Sequence, residues 1–194
     1  MTRALAWAAF WIAAVGFTAT GWAAPERIVI PSPRLGVLNL LGKEGSAVVA
    51  RDLKALTPLF GKAVQSTDVA PACDVLFIYA RVLDSGVVDG SNAGLREIIR
   101  DSGAAVVVVA SENSTDAYIA GTPRSGYGRA NLVMTLERNG GKFASFFVRL
   151  FKMMFSGDTM PVAWVKLAPQ TREAGHADTR GTIFAAEAGQ VTFR

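Results

Sequence analysis

The sequence is poor in the side chains that most often carry chemistry. It has one cysteine and one histidine in 194 residues. A lone cysteine, Cys73, forms no internal disulfide, so the fold must rest on its hydrophobic core. Cys73 stands just before an apolar run and reads as a small buried side chain. No histidine or basic cluster flanks it to lower its pKa. His176 and Cys73 together cannot close a transition-metal site, and no cofactor is expected. His176 lies too close to Asp178 in the chain to assume a nucleophile–base–orienter geometry. It could pair with Ser85 only if the tail folds over the strand ends. There is no Gly-x-Ser-x-Gly elbow.

Phosphate-binding loops are missing too. Gly42-Lys-Glu-Gly-Ser46 lacks the spacing in which backbone N–H groups wrap a phosphate ahead of Lys and Ser/Thr. Arg124-Ser-Gly-Tyr-Gly-Arg129 lacks the third glycine of a dinucleotide fingerprint and precedes a strand where that motif follows one. The 20 Lys and Arg exceed the 16 Asp and Glu by only four, and no basic block concentrates them. No nucleic-acid partner is therefore expected. No internal repeat or low-complexity segment is visible.

What is present begins with an uncharged apolar span. Arg3 is the only charge before Glu26, and Ala4 to Thr18 carries Trp7, Phe10, Trp11 and Phe17. Gly21-Trp22-Ala23 has the small-x-small pattern of a signal-peptidase site, with the cut before Ala24. Residues 1–23 read as a secretory signal peptide and 24–194 as a single domain in the periplasm or outside the cell. The alternative is an uncleaved inner-membrane anchor over residues 4–25, since ~20 apolar residues span a bilayer. That segment would be the only membrane contact. With 51% hydrophobic and 19% charged residues, the remainder is globular material.

The organising stretch is Gly103 to Asp116. Ala104 to Ala110 is small and β-branched without alternation, which predicts a strand buried on both faces of a parallel sheet. Arg27 to Ile30 predicts a short strand stopped by Pro31 and Pro33. Val37 to Leu41 fits either a strand or a helical turn. Ser46 is expected to cap a helix showing Val49, Leu53, Leu56 and Phe60 on one face and ending at Gly61. Asp74 to Ala80 is a second strand. A helix capped by Ser91 and closed by Gly103 then leads into the central one, so the pairing should be parallel.

Further on, Asn131 to Glu137 reads as a strand. Lys142 to Ser156 is a strong amphipathic helix with Phe143, Phe146, Phe147, Leu150, Phe151 and Met154 on its wide apolar face. That face suits a helix covering the sheet; docking on a membrane surface or a partner is the competing use. Another helix should start at Asp158 or Thr159 and stop before Pro169. Thr182 to Ala186 and Gln190 to Phe193 predict a terminal β-hairpin turning at Ala188-Gly189. The expected architecture is α/β and three-layered, with a mostly parallel sheet, helices on both faces and the C-terminal hairpin.

In open α/β sheets ligands bind outside the carboxyl ends of the strands. That rule selects Ser32 and Arg34 after the first strand and Arg81, Asp84 and Ser85 after the second. It also selects Ser111, Glu112, Asn113 and Asp116 after the third, with Arg124 in the following loop. Arginine, carboxylate and amide together suit a polar ligand; solvation alone would also make such loops polar. The general order also occurs in caspase-like hydrolases. Their His-Gly and Cys are replaced here by Tyr79-Ala80-Arg81 and Ser111-Glu112-Asn113, so no role carries over. The expected function is a non-catalytic envelope module binding a small polar ligand or a protein partner. The alternative is a hydrolase or transferase with Glu112 or Asp84 as acid/base and Arg81 or Arg124 holding an anion.

Overall fold

A computed structural model of the chain describes residues 26–83, 85–91, 93–110, 131–135, 141–173, 183–186 and 190–194. The chain is mixed α/β. A six-stranded sheet is built from β2 (Leu35–Asn39), β3 (Ala63–Ser66), β4 (Val75–Tyr79), β5 (Val106–Ala110), β6 (Asn131–Thr135) and β7 (Ile183–Ala186). Their order is β3-β2-β4-β5-β6-β7. All neighbours are parallel except the antiparallel pair β6–β7. β1 (Arg27–Ile30) pairs in parallel with β8 (Gln190–Phe193) in a separate two-stranded sheet.

β2, β4 and β5 are buried at every position. Their alternate residues feed two cores. Leu35, Val37, Val75, Phe77, Tyr79, Val106 and Val108 meet α1 (Gly42–Phe60) through Val49, Leu53 and Leu56, and meet α3 (Gly141–Phe155) through its phenylalanines. On the opposite face Leu38, Leu76, Ile78, Val107 and Val109 pack with Leu95 and Ile99 of α2 (Leu95–Ser102). Helices thus lie on both faces, as a parallel sheet requires. α3 is the cover its pattern predicts: Phe143, Phe146, Phe147, Leu150, Phe151 and Met154 are all buried. Phe77 meets Phe147 edge-on at 5.4 Å between ring centroids. α4 (Met160–Glu173) extends this core with Met160, Ala163 and Leu167.

Several expectations change. The two C-terminal strands form but do not pair with each other as a hairpin: β7 joins β6 and β8 joins β1. The reason is burial. Phe193 closes on Phe60, Phe151 and Phe155 at 5.1–6.1 Å. The Thr192 hydroxyl donates to the carbonyls of Met154 and Asp158 at 3.0 and 2.8 Å, joining β8 to the end of α3. α1 starts at Gly42, not Ser46, whose hydroxyl instead donates back to the Gly42 carbonyl at 3.2 Å. α2 starts after Gly94, not Ser91, with the Glu97 carboxylate accepting from the Gly94 N–H at 3.1 Å. α4 runs through Pro169 to Glu173. Residues 1–25, which hold the expected signal peptide (1–23) or anchor (4–25), lie outside the described residues.

β3 has no counterpart in the sequence reading, and it changes the topology. β2 lies between β3 and β4 and is parallel to both, so the chain must return from the end of β3 to the start of β4 through residues 67–74. Such crossovers usually take a dozen or more residues and a helix. This shorter strap reaches at most about 29 Å against roughly 17 Å for a five-residue strand, so it must lie flat on the sheet. Gly36 makes that possible. A β-carbon on Gly36 would collide with Cys73 Sγ, and would sit 2.8 Å from Cys73 Cβ and 3.0 Å from Pro71 Cγ.

Candidate functional site

The strand-end residues separate into two ends. Arg34 precedes β2, and its backbone N–H and Nε both donate to the Asp74 carboxylate, at 2.8 and 3.2 Å. Asp74 precedes β4, so this exposed pair ties the amino ends of β2 and β4 together. Ser32, with φ 49°, belongs to the turn after β1 and donates its N–H to the Arg194 carbonyl at 3.0 Å. β1 is outside the main sheet, so neither residue reaches the carboxyl edge. Arg81 does follow the carboxyl end of β4, where it faces Asp89 at 3.7 Å. Arg34 and Arg81 are therefore about one strand length, roughly 17 Å, apart. Asp84, Ser111, Glu112, Asn113, Asp116, Arg124 and His176 lie outside the described residues.

The connection after β4 is a compact cap. Bridges Val82↔Val88 and Val87↔Gly94 fold it back on itself, and Val82 and Val88 are fully buried. Asp89 donates its N–H to the Arg81 carbonyl at 2.8 Å. Across the sheet, the Asn39 carboxamide holds the β2–α1 turn: Oδ1 accepts from the Leu41 N–H and Nδ2 donates to the Gly42 carbonyl, both at 3.2 Å. A cleft of about 260 Å³ opens beside it, lined by Asn39, Ser46, Gln65, Ser66 and Thr67. It is uncharged and below the ~300 Å³ at which small-molecule pockets begin.

The larger concavity follows from the strap. A strap is thinner than a helix, and among the described residues a groove of about 430 Å³ runs between residues 68–70 and the flank of α2. Leu38, Ala70 and Ile98 supply its apolar lining; Asp68, Glu97, Arg100 and Asp101 bring charge. Each carboxylate is already engaged. Asp68 accepts from the Ser66 hydroxyl and the Val69 N–H, both at 2.8 Å, and these bonds hold its carboxyl below the usual carboxylate range. Glu97 caps α2, and Asp101 accepts from Arg100 Nε at 3.0 Å. The Ser102 hydroxyl donates to the Ile99 carbonyl at 2.7 Å. The sequence reading missed this groove because it depends on β3 and the strap, neither of which has a strong pattern.

Two buried groups remain. Tyr79 donates its hydroxyl to Asp52 Oδ2 at 3.0 Å, with both residues fully buried, and Arg51 Nε reaches Asp52 Oδ1 at 3.4 Å. Burial raises the Cys73 thiol to about 11, with Asp74 adding and Arg34 opposing, so it is no thiolate nucleophile. Among the described residues, no group of three His, Cys, Asp or Glu is placed to hold a metal. None of the described helices is long and apolar enough to cross a membrane.

The strand order turns around at β2, from β3 on one side to β4 on the other, as in doubly wound α/β proteins. Within that class, no protein-family model matches the chain, and no curated protein matches it.

Proposed function

We propose that this chain is a non-catalytic binding module of the cell envelope, and that it takes its ligand or partner segment in the groove beside α2. The observation that carries this reading is the make-up of that groove. Its volume of about 430 Å³ is within the ordinary range for ligand sites, and its lining sets apolar side chains such as Leu38, Ala70 and Ile98 beside about as many polar and charged ones, a mixture that suits a polar ligand. The carboxylates and the Ser102 hydroxyl are committed to caps, turns and pairs. Groups held in this way orient a ligand; they are not poised to move a proton. The envelope location rests on the uncharged span before Glu26 and the Gly21-Trp22-Ala23 pattern.

The test is a thermal-shift screen of the full chain against metabolites, nucleotides and cell-wall fragments. A ligand at a hundred times its dissociation constant stabilises by about 2.7 kcal/mol. Ala70→Trp fills the groove from the strap. A stabilising compound that loses its effect in this variant, at unchanged unliganded stability, supports the assignment. A compound that still stabilises the variant binds elsewhere, and one that is chemically converted overturns the non-catalytic reading.

A further inference from the structure

We propose that the groove beside α2 takes an alkyl diamine, with its ammonium groups on Asp68 and Glu97 and its methylene chain along the apolar lining. This rests on the groove being the binding site and adds the chemical class of its ligand. Charge selects that class. Asp68, Glu97 and Asp101 line the groove against one cation, Arg100, so the groove is acidic in a chain whose net charge is +4. Asp101 is neutralised by Arg100 Nε at 3.0 Å. Asp68 and Glu97 are not: among the described residues neither forms an ion pair, and their hydrogen bonds come from the Ser66 hydroxyl and the Val69 and Gly94 N–H groups. Those bonds go to Asp68 Oδ1 and Glu97 Oε2, which leaves Asp68 Oδ2 and Glu97 Oε1 as open acceptors. Both carboxylates are held before a ligand arrives, so little of their freedom is lost on binding.

The apolar lining decides between kinds of cation. Val69 is 69% exposed at the rim, and half-buried Ala70 and Ile98 line the same space. A metal ion such as calcium takes six or more oxygen ligands, and these side chains offer none. Methylene groups gain from covering them, while an ammonium at each end meets an uncompensated carboxylate. An anionic ligand would be repelled by the same two groups.

The experiment is a calorimetric titration of the full chain with α,ω-diaminoalkanes of increasing length, with the matching diols and dicarboxylates as controls. Only the diamines should bind. Affinity should rise by about two- to fourfold per methylene until the chain outgrows the groove, and it should fall as salt screens the exposed charges. Asp68→Asn and Glu97→Gln keep an accepting oxygen for the strap turn and the helix start, so they remove charge without removing the fold. Each should weaken diamine binding by about two- to fivefold, and the two together by about tenfold. Ala70→Trp should abolish it. Diamine binding that ignores both charge variants, or that does not vary with chain length, is general charge attraction and overturns the proposal. A diol or dicarboxylate that binds and is lost in Ala70→Trp also overturns it, but leaves the groove as a ligand site for another chemistry. If none of the three classes binds, the diamine is excluded, and the groove itself is then decided by the wider thermal-shift screen.

Discussion

Replacing Gly36 by alanine should destabilise the domain by about 1–2 kcal/mol, although alanine suits an extended strand better than glycine does. Gly36 has no left-handed φ, so the backbone does not require it. Space does. The added carbon would collide with Cys73 Sγ, with Cys73 Cβ at 2.8 Å and Pro71 Cγ at 3.0 Å, and these atoms belong to the strap that lies on this strand, two of them to a buried side chain. Overpacking a core costs about 1–3 kcal/mol, and the stiffer unfolded chain offsets about 0.4–1 kcal/mol of that. With a urea m-value of about 1–3 kcal/mol/M, the midpoint should fall by roughly 0.5–1 M. Cys73→Gly, which removes both blocking atoms and leaves a small void, should cost about 1 kcal/mol alone. In combination the two changes should be non-additive by about 1 kcal/mol or more, with Pro71 setting the residual. A shift below ~0.2 M for Gly36→Ala, or simple additivity in the pair, would refute the view that the strap lies on the sheet because this position has no side chain.

Tyr79→Phe removes the hydroxyl from a fully buried pair with Asp52 and should cost about 1–3 kcal/mol in chemical denaturation; an unchanged midpoint would mean that Asp52 does not depend on this donor. Phe147→Ala, at a site 2% exposed and ringed by Phe77, Phe143, Phe146 and Phe151, should cost about 3–5 kcal/mol. A loss below ~1 kcal/mol would show that α3 does not anchor the core. Cys73 should resist a thiol reagent at pH 8 until the chain unfolds. Its folded thiol is raised from 9.0 to about 11, so the folded state holds a proton that the unfolded state has released. Stability from this group is present below pH 9 and lost between pH 9 and 11. Cys73→Ala should flatten that part of the pH profile relative to wild type, and an identical slope in both proteins would show that Cys73 does not contribute to it.

How much the sequence revealed depended on the strength of its local patterns. Ala104 to Ala110 and Val75 to Ala80, within the predicted strand Asp74 to Ala80, are continuous apolar runs, and only a doubly covered sheet buries such strands, so β4 and β5 were legible with their parallel pairing. The phenylalanine face of α3 was equally plain. Of the expected site residues, Ser32, Arg34, Arg81 and Ser85 are described, and Arg34 and Arg81 lie at opposite ends of the sheet. The sequence could not show this because it gave no sign that Arg27–Ile30 leaves the main sheet to pair with the far end of the chain.

Local physics in the sequence thus determined the α/β class, the parallel core strands, the covering helix and the buried state of Cys73. Tertiary structure alone decided where weak segments went. Ala63–Ser66 became a strand because β2 offered an edge. Residues 67–74 became a crossover because Gly36 left room. β7 and β8 separated because Phe193 and Thr192 gain more against α1 and α3 than a hairpin would give them. Short strands carry too little pattern of their own to choose partners. The choice depends on burial and hydrogen bonding against surfaces that exist only after the rest of the chain has folded.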